Sequence, residues 1–210
     1  MTAKKYLDFF IKIGQLKKIK RTGWVLRGVK DPESIGDHTF RMSLMAWFFA
    51  KDKKLDITRV MKMSLIHDIC EVYAGDMTPY DEEVSLGLHK KDKTLFNRWP
   101  RRMKTKKEEL STNKHEKELS ALKKLTGGLP VGLQQEVLGL WSEYEDGLTA
   151  EGRFLRQLDR VENVLQASEY RAEQGSHLMM DSFWQQVKEL VDDPDLLNFI
   201  QATDKNFSKK

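Results

Sequence analysis

The stretch Ser64 to Asp76, SLIHDICEVYAGD, constrains this chain more than any other. Leu65, Ile66, Ile69, Val72 and Tyr73 give it the apolar content of a core segment, yet His67 and Asp68 stand side by side in its middle and Glu71 follows. A buried polar group costs several kcal/mol unless a partner satisfies it, so any fold that buries this segment must bring partners to it. On a helix turning ~100° per residue, His67, Asp68 and Glu71 share one polar wedge.

The surroundings read as helices. Tyr6, Phe9, Phe10, Ile13 and Leu16 follow helical spacing, which predicts a first amphipathic helix ending near Lys18. RTGWVLRGVKDPES reads as a loop on its Gly, Pro and Asp. A helix apolar on nearly all sides is expected from about Asp37 to Ala50, and a second from Asp56 or Thr58 (as N-cap) to a stop at Gly75. Further helices are expected from Lys114, over VGLQQEVLGLWSEYEDG, over residues 151–174 with Phe154, Leu158, Val161 and Leu165 on one face, and over two short closing segments. No segment alternates as a strand and no repeat is visible, so the expected class is all-α: one domain over residues 1–202 and a polar tail over 203–210.

The charge is uneven. Residues 89–107, HKKDKTLFNRWPRRMKTKK, hold nine Lys and Arg against one Asp, whereas the net charge of the whole chain is only +4. The remainder is therefore acidic, and the basic character belongs to one segment, read as an insertion around 84–111. Its interleaved Phe96 and Trp99 admit a nucleic-acid contact, or a solvated loop packed on the body, which is the preferred reading. The single cysteine, Cys70, excludes an intrachain disulfide and fits a reducing compartment. The longest apolar run, Met42 to Ala50, is far short of the ~20 residues of a membrane span, and the expectation is a cytoplasmic protein with no membrane partner.

Two residues are not enough to hold a metal ion. His38, at the start of the apolar helix, and Asp159, beside core-facing Leu158, are the candidates to complete His67 and Asp68. Taken singly, His38 reads as a cap or surface group and Asp159 as a partner of Arg156 or Arg160. Together the four give a two-His, two-Asp set without thiolate. That chemistry suits one divalent ion (Mn, Co, Zn, Fe, Ni or Mg) with open positions, rather than a closed structural zinc site.

RTGWVLRGVKDPESIGDHTFRMSLMA, SLIHDICEVYAGDMTP and LDRVENVLQASEYRAEQG together resemble the HD-domain superfamily of metal-dependent phosphohydrolases, and within it the 5′-deoxynucleotidase branch of the HD-domain-containing-protein-2 type. The resemblance covers roughly residues 5–80 and 113–185. It implies a helical bundle with the metal between central helices, His38, His67, Asp68 and Asp159 as ligands, and Glu71 and Asp76 as the catalytic acidic pair. It also implies a substrate loop carrying Trp24, Arg21 and Arg27, a nucleoside 5′-monophosphate as substrate, and a homodimer. One departure is that Gly23, not Arg, directly precedes Trp24. Other HD-type reactions on polyphosphates, alarmones or cyclic nucleotides use similar chemistry, and the alternatives remain those reactions or nucleic-acid binding through 89–107.

Overall fold

The structure, a computed structural model, describes residues 3–92 and 94–208. Among the described residues twelve α-helices run α1 Ala3–Ile13, α2 Thr22–Leu26, α3 Ile35–Ala50, α4 Ile57–Ile66, α5 Glu71–Ala74, α6 Asp81–Ser85, α7 Leu88–Lys91, α8 Lys104–Thr126, α9 Val131–Asp146, α10 Ala150–Gln174, α11 Asp181–Leu190 and α12 Pro194–Phe207. Among the described residues the only β pairing is an isolated bridge between Lys20 and Ser34. None of the helices formed by these residues is long and apolar enough to cross a membrane.

Helix α10 is the axis of the bundle, in contact with α3, α4, α9, α11 and α12. It starts at Thr149, whose hydroxyl accepts the Gly152 amide at 3.0 Å, and stops at Gly175, φ +110°. Leu155, Leu158, Val161 and Val164 are buried in the main core with Met42, Val60 and Met63, each contributing about 1.5–3 kcal/mol by leaving water. Gly152 is where α9 comes closest: a Cβ there would lie 2.4 Å from the Glu143 carbonyl. Ten α10 residues beyond the expected apolar stripe are buried as well, including Gln157, Glu162, Asn163 and Gln166. A helix buried well beyond a single stripe has to bring polar side chains inward with its core residues.

Several boundaries differ from the sequence expectation. The first helix ends at Ile13 and passes into a 3₁₀ turn at Gly14–Lys17. The presumed loop after it contains α2, and α3 begins two residues early through a capping box in which Ser34 and Asp37 satisfy each other's backbone amides. Nor is α3 buried all round: Phe40, Leu44, Trp47 and Phe48 are exposed along one face. Helix α8 starts ten residues before the predicted Lys114, so the end of the presumed insertion is helical. The presumed polar tail continues α12, with Thr203 buried against the body.

The main difference falls on the opening stretch. The expected helix ends at Ile66, and the chain crosses His67–Cys70 on tightened i→i+3 bonds before α5. Asp56 caps α4, as expected, by accepting the Arg59 amide. Gly75 ends α5 with φ +77°, a conformation open to glycine at little cost. His67 and Asp68 are therefore at a helix break, where side chains leave the regular face.

Candidate metal centre and active-site cleft

His38 and His67 come from α3 and from the break after α4, and their Nε2 atoms lie 3.3 Å apart. Asp68 Oδ2 is 3.0 Å from His67 Nε2 and 3.9 Å from His38 Nε2. From α10, Asp159 Oδ1 reaches His38 Nε2 at 3.4 Å. His38, His67 and Asp68 thus offer ligand atoms that all lie within 4.8 Å of one another, with Asp159 beside them through His38; both imidazoles are buried and both carboxylates partly exposed.

Each imidazole is oriented through its other nitrogen. His38 Nδ1 meets the fully buried Glu162 carboxylate at 2.6 Å, and His67 Nδ1 meets the Ser64 carbonyl at 2.8 Å. Both rings therefore carry the Nδ1 proton and turn Nε2 toward the carboxylates, the arrangement that metal-ligating histidines use. Against the cost of burial and the Arg21 charge, Glu162 and Asp159 raise His38 to about 10. Although burial acts against it, the charges of His67, Arg21 and His38 keep Asp68 ionised well below the ordinary range; His38 and Arg21 do the same for Asp159. Two converging Nε2 atoms beside two ionised carboxylates are the donor set of a divalent cation, and the residues present fit one.

Glu162 is a residue that sequence reasoning missed. It lies three positions after Asp159 and so faces the same side of α10, which is the signal that could have found it. It also binds Arg41, whose guanidinium reaches Glu169 and Gln166. Replacing Glu162 by Gln is expected to weaken metal affinity by roughly 10–100-fold while the helical fold persists, measured by metal titration calorimetry and circular dichroism; an unchanged affinity would remove its orienting role.

A cleft of about 160 Å³ opens beside this centre, lined among others by Arg21, Trp24, Asp76, Trp99, Asp159 and Phe183. Arg21 caps the start of α2, donates to Asn163 Oδ1 at 2.8 Å and approaches Asp68 Oδ2 at 3.5 Å. Asp76 Oδ2 accepts the Thr22 amide at 2.5 Å, tying the α2 segment to the turn after Gly75. Burial raises the Asp76 carboxyl even though Arg21 pulls it down. Glu71 is buried, and its Oε2 has no hydrogen-bond partner. Burial and the like charges of Asp68 and Asp76 drive it well above the usual glutamate range.

Two expected substrate residues are used differently. Trp24 is 1% exposed, donates Nε1–H to Glu33 and packs on Tyr170 and Phe183, so it floors the cleft rather than standing as an open wall. Arg27 lines the cleft, yet its guanidinium is taken up by bonds within the fold. It is buried, and its guanidinium donates to the carbonyls of Met179, Gly23 and Phe96 and to Ser182 Oγ. Arg27→Ala strands those acceptors and is expected to cost about 2–4 kcal/mol of stability, read by urea denaturation. A wild-type midpoint with a raised KM would return it to the substrate loop.

The basic segment packs on the body as well. Phe96 is buried, and the Trp99 amide donates to Gln185. Arg98, Arg101, Arg102 and Lys106 pair with Asp92, Glu189, Glu82 with Glu83, and Glu82 with Glu109. These pairings take up much of the charge that a nucleic-acid surface would need.

The HD-domain family model matches residues 13–194. The chain belongs to the HD-domain family. Among curated HD-domain proteins, the 5′-deoxynucleotidase HDDC2 of Bos taurus is 35% identical over 94% of this chain and 83% of its own. The Homo sapiens protein of the same name is 39% identical over 80% and 69%. Among solved structures, a predicted metal-dependent phosphohydrolase from Magnetospirillum magnetotacticum superposes with TM-score 0.66 at 25% identity, covering 98% of this HD-domain chain and 92% of its own.

Proposed function

We propose that this HD-domain protein is a metal-dependent phosphomonoesterase that hydrolyses deoxynucleoside 5′-monophosphates to nucleoside and phosphate. The observation that carries the reading is the convergence of His38, His67, Asp68 and Asp159 at the edge of a cleft that also holds Arg21 and Asp76. The curated relatives bearing the 5′-deoxynucleotidase name support the substrate class.

A divalent ion held by those four side chains would polarise the phosphate and make a water molecule more acidic. Arg21 is the guanidinium available to the phosphate, since Arg27 is committed inside the fold. Asp76 has one oxygen held by the Thr22 amide, leaving the other to orient the attacking water and accept its proton. Water adds to phosphorus as the P–O5′ bond breaks. Glu71, whose proton is held more tightly through burial and the charges of Asp68 and Asp76, donates it to O5′ so that the nucleoside leaves neutral.

The test is phosphate release from 5′-monophosphates (deoxy and ribo), 3′-monophosphates, triphosphates and cyclic nucleotides, with Mn, Co, Mg and Zn in turn. Release from deoxynucleoside 5′-monophosphates above the rest is expected. No release from any 5′-monophosphate with any metal would sink the proposal, and release from another class alone would transfer it there.

The assembly proposed with this activity is a homodimer. Phe40, Leu44, Trp47 and Phe48 line one face of α3 at 68, 37, 49 and 65% exposure. With roughly 150–250 Å² per aromatic side chain, these four leave several hundred Å² uncovered, the size of patch that marks an interface; self-packing of the stripe across a two-fold axis covers both copies. Phe48→Glu is expected to yield monomers in light scattering; a wild-type mass that stays dimeric would move the interface elsewhere.

A further inference from the structure

On α8, Lys114 and Glu118 form an ion pair unlike the others on that helix. Lys114 Nζ lies 3.5 Å from Glu118 Oε1 across one turn. In the Lys104–Glu108 and Lys106–Glu109 pairs both partners face solvent, whereas Glu118 is only 3% exposed and the Lys114 side chain is 46% exposed. A carboxylate buried beneath a reachable ammonium anchors that ammonium in one place. The place is informative. Positions 114, 118, 121, 122 and 125 share one face of α8, and Ala121, Leu122 and Leu125 pack on Ile69 and Cys70, beside Glu71. Helices α8 and α5 are in direct contact.

We propose that Lys114 is the second cationic residue of the phosphate site, seated by Glu118 on the face of α8 that covers α5 and complementing Arg21 in holding the substrate's dianion. Its neighbourhood supports the role. Despite the cost of desolvation, Glu118, Glu145, Glu71 and Asp68 hold the Lys114 ammonium above its ordinary range. The Lys114 charge in turn acts on both Glu71 and Asp76. A pocket with this many acids repels a phosphate dianion unless cations are fixed beside them, and of the flexible lysines on α8 this one has a buried anchor.

The inference rests on the nucleotidase reading, and the experiment separates the two. Binding of inorganic phosphate, a deoxynucleoside and the deoxynucleoside 5′-monophosphate is measured on Mn-loaded wild type, Lys114→Met and Lys114→Arg, with KM and kcat alongside. The expected result for Lys114→Met is at least about tenfold weaker phosphate binding and a similarly raised KM, the worth of one charge-assisted hydrogen bond. Nucleoside affinity stays unchanged, and Lys114→Arg recovers most of the loss. Equal weakening of all three ligands marks a structural role and overturns the proposal. So does wild-type phosphate affinity in Lys114→Met, or a wild type that binds no phosphate. A wild type that releases phosphate from no 5′-monophosphate fails the nucleotidase reading itself; normal release with an unshifted KM in Lys114→Met fails the Lys114 assignment alone.

Discussion

Replacing Asp68 by Ala is expected to abolish metal uptake and, with it, turnover. Asp68 Oδ2 is the carboxylate oxygen nearest the two imidazoles, and no other acid in the cluster approaches His67 Nε2 at 3.0 Å. Removing it leaves two neutral nitrogens and Asp159, a donor set that has lost half its negative charge. Elemental analysis after dialysis should find less than one-tenth of the wild-type metal content, on the order expected when a ligand rather than its support is lost. Retained stoichiometry would refute the assignment. The wild-type affinity carries a pH signature. Proton and cation compete for His38 Nε2, and that imidazole holds its proton up to about 10. Metal affinity should therefore climb as pH rises toward that value, and uptake at neutral pH should release a proton, detectable by calorimetry in buffers of different ionisation enthalpy.

Glu71→Gln is expected to lower kcat by roughly 10²–10⁴-fold while metal content stays near wild type. The amide keeps the shape and the burial of the acid but has no carboxyl proton to give. The informative readout is leaving-group dependence: a substrate with an acidic phenol in place of the nucleoside needs no donated proton and should lose far less. An equal loss on both substrates would take Glu71 out of the acid role.

The helical class and the four converging donors were legible because each rests on a strong local rule. Apolar spacing predicts helices, and a His-Asp pair inside an apolar run demands a partner. Boundaries were harder. The break at His67–Cys70 carries no Pro or Gly, and the residues before Gly75 are good helix members, so nothing local announces it; beyond it α5 packs on α8 and the 3₁₀ turn, with Ile69 and Cys70 in a second core cluster. Arg27 shows the other limit. An arginine in a Gly-containing loop beside a tryptophan reads as surface charge, and only the arrival of Met179, Ser182 and Phe96 from distant parts of the chain turns it inward. Glu162 lay within reach of helical spacing, yet it required knowing that α10 is buried well beyond its apolar stripe.

The bonds of Arg27 also bear on how the cleft behaves mechanically. One guanidinium joins Gly23 of α2, the carbonyl of Phe96 in the basic segment and Met179 ahead of α11. Three stretches far apart in sequence therefore share a single rivet beneath the cleft floor. Lengthening or nicking the basic segment should therefore loosen the seat of Trp24, so the most charged part of the chain works as a strut for the cleft floor.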